Sequence, residues 1–110
     1  MTDKILVLTT CDSAEEAGRI ARALVESKLA ACVAVTPGIR SVYRWEGAIE
    51  AHEEWALTIK SRAELFDALS AELSRLHSFS TPEILALPVF AGGAEYLKWM
   101  DAELQVEGLR

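Results

Sequence analysis

His52 stands between Glu50 and Glu54. Side chains alternate along a strand, so the three share a face, and an imidazole flanked by two carboxylates is a donor set for a divalent cation. The other reading is a solvated strand face, where such charges usually lie. Cys11 ends an apolar run just where a helix begins. The positive helix entrance can lower a thiol pKa and make it a metal ligand or nucleophile, whereas a buried cysteine is an inert core residue. His77 closes a second helical stretch, as a cationic partner for the negative helix end or as a ligand beside the Thr81-Pro82-Glu83 loop. Lys60 and Glu83 lie at the ends of apolar strands, where charges line a pocket or mark solvent. No nucleophile–base pair, phosphate-cradling loop, GxSxG elbow or HExxH spacing accompanies them. The residues therefore read as a binding protein rather than an enzyme.

The rest of the composition narrows the class. The chain has 110 residues, 11 Lys+Arg against 17 Asp+Glu, and a net charge of −6. That length suits one domain over residues 1–110, since two would each have too little core. The acidic balance and the scattered basic residues argue against nucleic acid. The longest apolar stretch, Ile84 to Ala91, is 8 residues and contains Pro88, whereas a membrane span needs about 20. Met1-Thr2-Asp3-Lys4 has no signal-peptide character, and two cysteines without CxxC spacing suit free thiols in a reducing cytosol. A cytoplasmic protein is the expectation.

Chemistry needs elements to hold it. Lys4 to Cys11 is a continuous β-prone run, as in a central strand. Ser13 and Glu16 form a capping-box pattern ahead of Ala17, Ile20, Ala21, Leu24 and Val25 at helical spacing, which predicts a helix of about 15 residues. Leu29 to Thr36 reads as strand, Pro37-Gly38 as a bulge, and Ile39 to Arg44 as strand again. Trp45-Glu46-Gly47-Ala48 carries a turn into Ile49 to Lys60, where alternation is clean. Ala63 to His77 gives a second helix, Ile84 to Phe90 a strand, and Ala94 to Leu104 a third helix with Tyr96, Leu97, Met100 and Leu104 inward. The order βαββαβα predicts an α+β fold: a ferredoxin-like βαββαβ unit with an extra C-terminal helix and a long hairpin between its second and third strands. Both long helices then cover one face of a four-stranded antiparallel sheet. In that sheet the first strand lies beside the third and fourth, so Cys11 and Cys32 should not bond.

The hairpin is too long for its own globule. A 110-residue domain measures roughly 35 Å across, from a radius of gyration near ~13 Å. The arm from Ile49 to Lys60 spans about 40 Å at ~3.3 Å per residue. Its overhang would expose strand edges and Tyr43, Trp45 and Trp55, and a second subunit is the simplest cover.

Several stretches together resemble one family: Lys28-Leu29-Ala30-Ala31-Cys32-Val33, Ser41 to Ile49, Thr81-Pro82-Glu83-Ile84, Leu87-Pro88-Val89 and Tyr96-Leu97-Lys98-Trp99. They are similar to the CutA family, the divalent-cation tolerance proteins, over nearly the full chain. The resemblance implies an intertwined homotrimer in which long hairpins extend the neighbours' sheets, similar to the trimer of the PII signalling proteins. It also implies a link to copper and other divalent metal ions, with no other cofactor, and places Tyr43, Trp45, Lys60, Glu83 and Trp99 near clefts between subunits as candidate binding residues for an unknown small ligand. His77 and Cys11 are the candidate metal residues. Family members often carry a His-Pro-Tyr run where this chain has His77-Ser78-Phe79, and copper-binding members can carry a cysteine where this chain aligns Thr9. Cys11, one strand period on, faces the same side. The alternatives are a PII-like signalling or structural trimer with no metal role, and a small enzyme built on Lys60, Glu83 and Tyr43.

Overall fold

The computed structural model describes residues 1–106. Its elements are β1 (Lys4–Cys11), α1 (Ala14–Glu26), β2 (Cys32–Trp45), β3 (Ala48–Arg62), a 3-10 turn (Ala63–Leu65), α2 (Phe66–Leu76), β4 (Leu85–Pro88) and α3 (Ala94–Glu103). The four strands form one sheet in the order β2-β3-β1-β4, antiparallel at every pairing. This is the anticipated βαββαβα architecture, with β1 between β3 and β4.

Local chemistry explains the joints. Ser13 Oγ accepts the Glu16 backbone N–H at 3.1 Å, which caps α1. The Glu16 carboxylate does not return to the cap; it accepts the Ser78 N–H instead. At the hairpin tip Glu46 and Gly47 have φ of 50° and 84°, the pair of positive values that a tight hairpin turn requires and that glycine meets without strain. Gly38, at φ 71°, sits where the β2–β3 register slips between Thr36 and Ile39. The bulge expected at Pro37-Gly38 is therefore present.

One face of the sheet is covered. Val7 pairs with Ile59 and Thr9 with Leu57, so Ile5, Val7, Thr9 and Cys11 share the β3 face of Leu57, Ile59 and Ser61. Ala17, Ile20 and Leu24 of α1 and Leu69 and Leu73 of α2 bury that face. A second cluster joins Met100 and Leu104 of α3 to Ala31 and Leu65. Charges pin α3 as well: Asp101 meets Lys4 at 2.9 Å and Arg62 at 3.4 Å. Burial pulls the Lys4 pKa down, but hydrogen bonds to Asp3 and Asp101 outweigh it and the net shift is upward.

The opposite face stays open, with Leu85 at 57% and Leu87 at 44% exposure. The molecule is 44 Å long and 22 Å thin, drawn out by its hairpin. Several sequence expectations change. The second strand begins at Cys32 rather than Leu29, because Lys28 turns left-handed at φ 63° and Leu29 and Ala30 both donate to Leu24 O as the end of α1. The last strand keeps only Leu85–Pro88, the part opposite Ile5 to Leu8. Trp55 is not stranded on the overhang; it packs against the core beside Cys11. Tyr96 points outward at 44% exposure, against Trp99 and Lys60.

Candidate functional site

Past the bulge, the hairpin turns one face of aromatic and acidic side chains toward the loop after α2. Register places Tyr43 opposite Glu50, Ser41 opposite His52, and Ile39 opposite Glu54, all on the face away from the helices. Between this face and residues 79–83 lies a cleft of about 650 Å³, lined by Ser41, Tyr43, Trp45, Glu54, Phe79 and Glu83 among others. Three expected site residues, Tyr43, Trp45 and Glu83, thus meet at one groove. Glu54, offered by the sequence only as one of a cation-binding trio with Glu50 and His52, lines this groove as well: alternation gave its face but not its depth, and it is only 6% exposed. Its Oε1 accepts from Ser41 Oγ at 2.7 Å. Burial raises the Tyr43 hydroxyl pKa, and the nearby carboxylates of Glu54, Glu50 and Asp12 push the same way.

The Glu50–His52–Glu54 trio does not close around a common point. His52 Nε2 lies 3.5 Å from Glu50 and its ring stacks on Tyr43, while Glu54 turns to Ser41. Among the described residues no group of three His, Cys, Asp or Glu side chains is placed to hold a metal ion.

Lys60 and Trp99 lie elsewhere. Lys60 Nζ donates to Tyr96 Oη at 3.2 Å and sits 5.4 Å from that ring's centre, and Tyr96 leans on Trp99. The hydrogen bond to Tyr96 raises the Lys60 pKa despite partial burial. Lys60 is ten residues along β3 from Glu50, the partner of Tyr43, which is about 33 Å at ~3.3 Å per residue. Within one protomer Lys60, Glu83 and Tyr43 do not converge.

His77 is a buried joint. Phe79 N–H donates to its Nδ1 at 3.1 Å, so Nε2 carries the proton and donates to Thr10 O at 2.8 Å. Its imidazole packs on Phe79 and lies 3.7 Å from the Glu16 carboxylate. These contacts hold the 79–83 wall of the groove against the end of β1. Cys11 is fully buried, and its thiol pKa is pushed up to about 12, first by burial and then by Glu16, against a smaller opposing effect of Arg19. The helix entrance does not activate it. Cys32, opposite Lys60 on the other sheet face, is likewise free.

Known proteins match the chain in sequence and in fold. Residues 5–103 match the family model described as CutA1 divalent ion tolerance protein. The divalent-cation tolerance protein CutA of Thermus thermophilus is 44% identical over 95 residues, covering 86% of this chain and 92% of that one. The crystal structure of CutA from Xylella fastidiosa superposes with a TM-score of 0.92 at 40% identity, over 94% of this chain and 100% of that chain. The structure of the CutA from Archaeoglobus fulgidus, described as periplasmic, gives 0.90 at 43% identity over 93% and 99%. Among the described residues no helix is long and apolar enough to cross a membrane.

Proposed function

This chain belongs to the CutA1 divalent ion tolerance protein family, and from that premise we propose that it acts as a homotrimer whose inter-subunit clefts bind a small ligand or a divalent metal ion as part of the response to metal ions. The observation that carries the reading is the uncovered hairpin. Val42 and Ile49 are 64% and 65% exposed and Trp45 52%, too much apolar surface on a strand pair for a lone chain in water. Identical copies would cover it.

The same assembly explains the split set of candidate residues. Tyr43, Trp45 and Glu83 stand at the hairpin end and Lys60 and Trp99 at the α3 end, so one cleft that gathers all five takes them from two copies. We take Cys11 and His77 as structural. A copper or divalent ion would have to deprotonate a thiol whose pKa is raised, or displace a hydrogen bond from the imidazole. Metal held at the cleft carboxylates is the reading that leaves the core intact. The function is binding without catalysis, by one domain that spans the chain. Its two free thiols suit a cytoplasmic setting.

Equilibrium sedimentation at micromolar concentration tests the assembly, with metal and metabolite analysis of the purified protein. Three chains per particle are expected. A stable monomer would remove the cleft and the proposal with it.

A further inference from the structure

We propose that the Lys60 ammonium of one copy docks on the Glu54 carboxylate of the next, an ion pair that joins the groove wall of each copy to the open sheet of its neighbour. The inference rests on the assembly proposed above and names the two charges that fix its register. Its starting point is a pair of opposite charges on one sheet face, each with only a neutral partner in its own copy. Glu54 is 6% exposed and accepts a hydrogen bond from the Ser41 hydroxyl. Lys60 is half-buried and donates to the Tyr96 hydroxyl. Neither enters an ion pair among the described residues.

They do not reach each other within one chain. Both side chains leave β3 on the face away from the helices, opposite to Leu57 and Ile59. Six residues separate them along the strand, about 20 Å at ~3.3 Å per residue. This is also the face left open: Leu6 and Leu87 continue the ladder from Lys60, and Leu85 and Leu87 are exposed. Copies that cover it withdraw Lys60 from water as well. A charge buried alone costs far more than one buried against its opposite, so the covering copy has to bring a carboxylate to Lys60 and a cation to Glu54. A head-to-tail contact between identical chains meets both needs, because each copy gives its Lys60 to one neighbour and its Glu54 to the other.

Other charges are already served. Lys4 and Arg62 hold Asp3 and Asp101. Arg19, Arg22, Lys28 and Arg75 each stand by a glutamate of their own copy. Arg40, Arg44 and Lys98 are exposed, and Arg40 and Arg44 alternate with Ser41 and Tyr43 onto the other side of the hairpin. Glu83 lines the same cleft as Glu54 but is exposed and keeps its water.

Sedimentation across a dilution series, at a urea concentration that half-dissociates the parent, tests the pair, and circular dichroism without urea checks that each variant folds. Glu54→Gln and Lys60→Met, close in volume to the parent residues, are each expected to raise the concentration at half-assembly by about tenfold or more. The double variant should raise it no further than the worse of the two, since the second change removes a charge already stranded. Exchanging the charges, Glu54→Lys with Lys60→Glu, should assemble at least about tenfold better than either reversal alone. Where a reversal does not fold, the glutamine and methionine set decides. Assembly indifferent to the neutral variants, a loss confined to one of them, or losses that multiply in the double variant overturns the proposal. So does a Glu54→Gln oligomer that stays intact but no longer holds Zn(II) bound by the parent, because Glu54 then serves a ligand. Each of these results leaves the assembly standing. A parent that sediments as a monomer without urea would instead remove the reading beneath it.

Discussion

Replacing Glu16 by glutamine should destabilise the protein near neutral pH and do almost nothing in acid. Glu16 lies in the first turn of α1 with its side chain 7% exposed. Its Oε2 accepts the Ser78 N–H at 2.7 Å and lies 3.7 Å from His77 and 3.9 Å from Arg19. Burial favours the protonated acid, but hydrogen bonding from Ser78 outweighs it and holds the pKa below the usual carboxylate value. The folded pKa thus lies beneath the unfolded value of about 4.3. The stabilisation is complete above that value and is lost as pH falls through the folded pKa. Glutamine still offers a carbonyl to Ser78, so the change replaces a charge-assisted bond worth ~1.5–3 kcal/mol by a neutral one near ~1 kcal/mol. A loss of about 0.5–2 kcal/mol at about pH 7 follows, shrinking toward zero once pH has fallen through the depressed folded pKa and the parent carboxyl is itself neutral. Urea unfolding of both proteins at one fixed concentration reads the difference without interference from self-association. A gap that stays constant from neutral to acid, or no gap at neutral pH, would refute the electrostatic account of this joint.

Three further outcomes are expected. Thr9 is 1% exposed and its Oγ1 has no hydrogen-bond partner among the described residues, so Thr9→Val should raise stability by roughly 1 kcal/mol in the same urea assay, and a loss would mean that the hydroxyl has a use. Cys11, with a thiol pKa of about 12, should resist iodoacetamide in the native protein while Cys32 reacts, as peptide mapping would record; equal labelling rates would contradict its burial. Carbodiimide should couple Lys60 to Glu83 only between copies, since Lys60 lies opposite Leu6 and Glu83 near the level of Thr10, about 13 Å along β1 at ~3.3 Å per residue. Covalent dimers and trimers carrying that linked peptide, absent from Lys60→Gln, are the expected products; the same link within a single chain would show the two groups closer than the sheet permits.

What could be read from the chain was whatever its neighbours in sequence decide. The bounds of β1, the Ser13 cap, the bulge at Pro37-Gly38 and the turn at Glu46-Gly47 each follow from residue type and spacing over a few positions. Depth did not follow. Glu54 sits on an alternating strand among Glu50, His52 and Glu53, and only the Ser41 contact across the hairpin distinguishes it from a solvated charge. Strand length at the other edge was equally hidden: Ile84 to Phe90 is apolar throughout, yet β1 offers partners only to Leu85–Pro88. Tyr96 followed the helical period of α3, but a long-range contact with Lys60 draws it outward. The groove depends on His77, whose bonds to Thr10 and Phe79 place the loop. Spacing offered His77 as a ligand or a helix-end cation; the fold makes it a strut.

The hairpin also limits how any assembly can be arranged. Past the bulge it is apolar on both sides, with Tyr43 and Trp45 on the face away from the helices and Val42 and Ile49 on the reverse. A ligand in the groove can cover one side only, so protein must cover the other. Further open apolar surface, at Leu85, Leu87, Phe90, Tyr96 and Trp99, lies away from the hairpin tip. Unlike ends that each need cover favour a head-to-tail contact, and such a contact among identical copies ends only when it closes into a ring. In the proposed ring, closure would bring the hairpin of one copy to the α3 end of the next, where Lys60 and Trp99 stand. Solubility and the composite cleft would then depend on the same contact, and on that proposal a substitution that weakens the ring, such as Ile49→Asp, should cost oligomer and ligand affinity together.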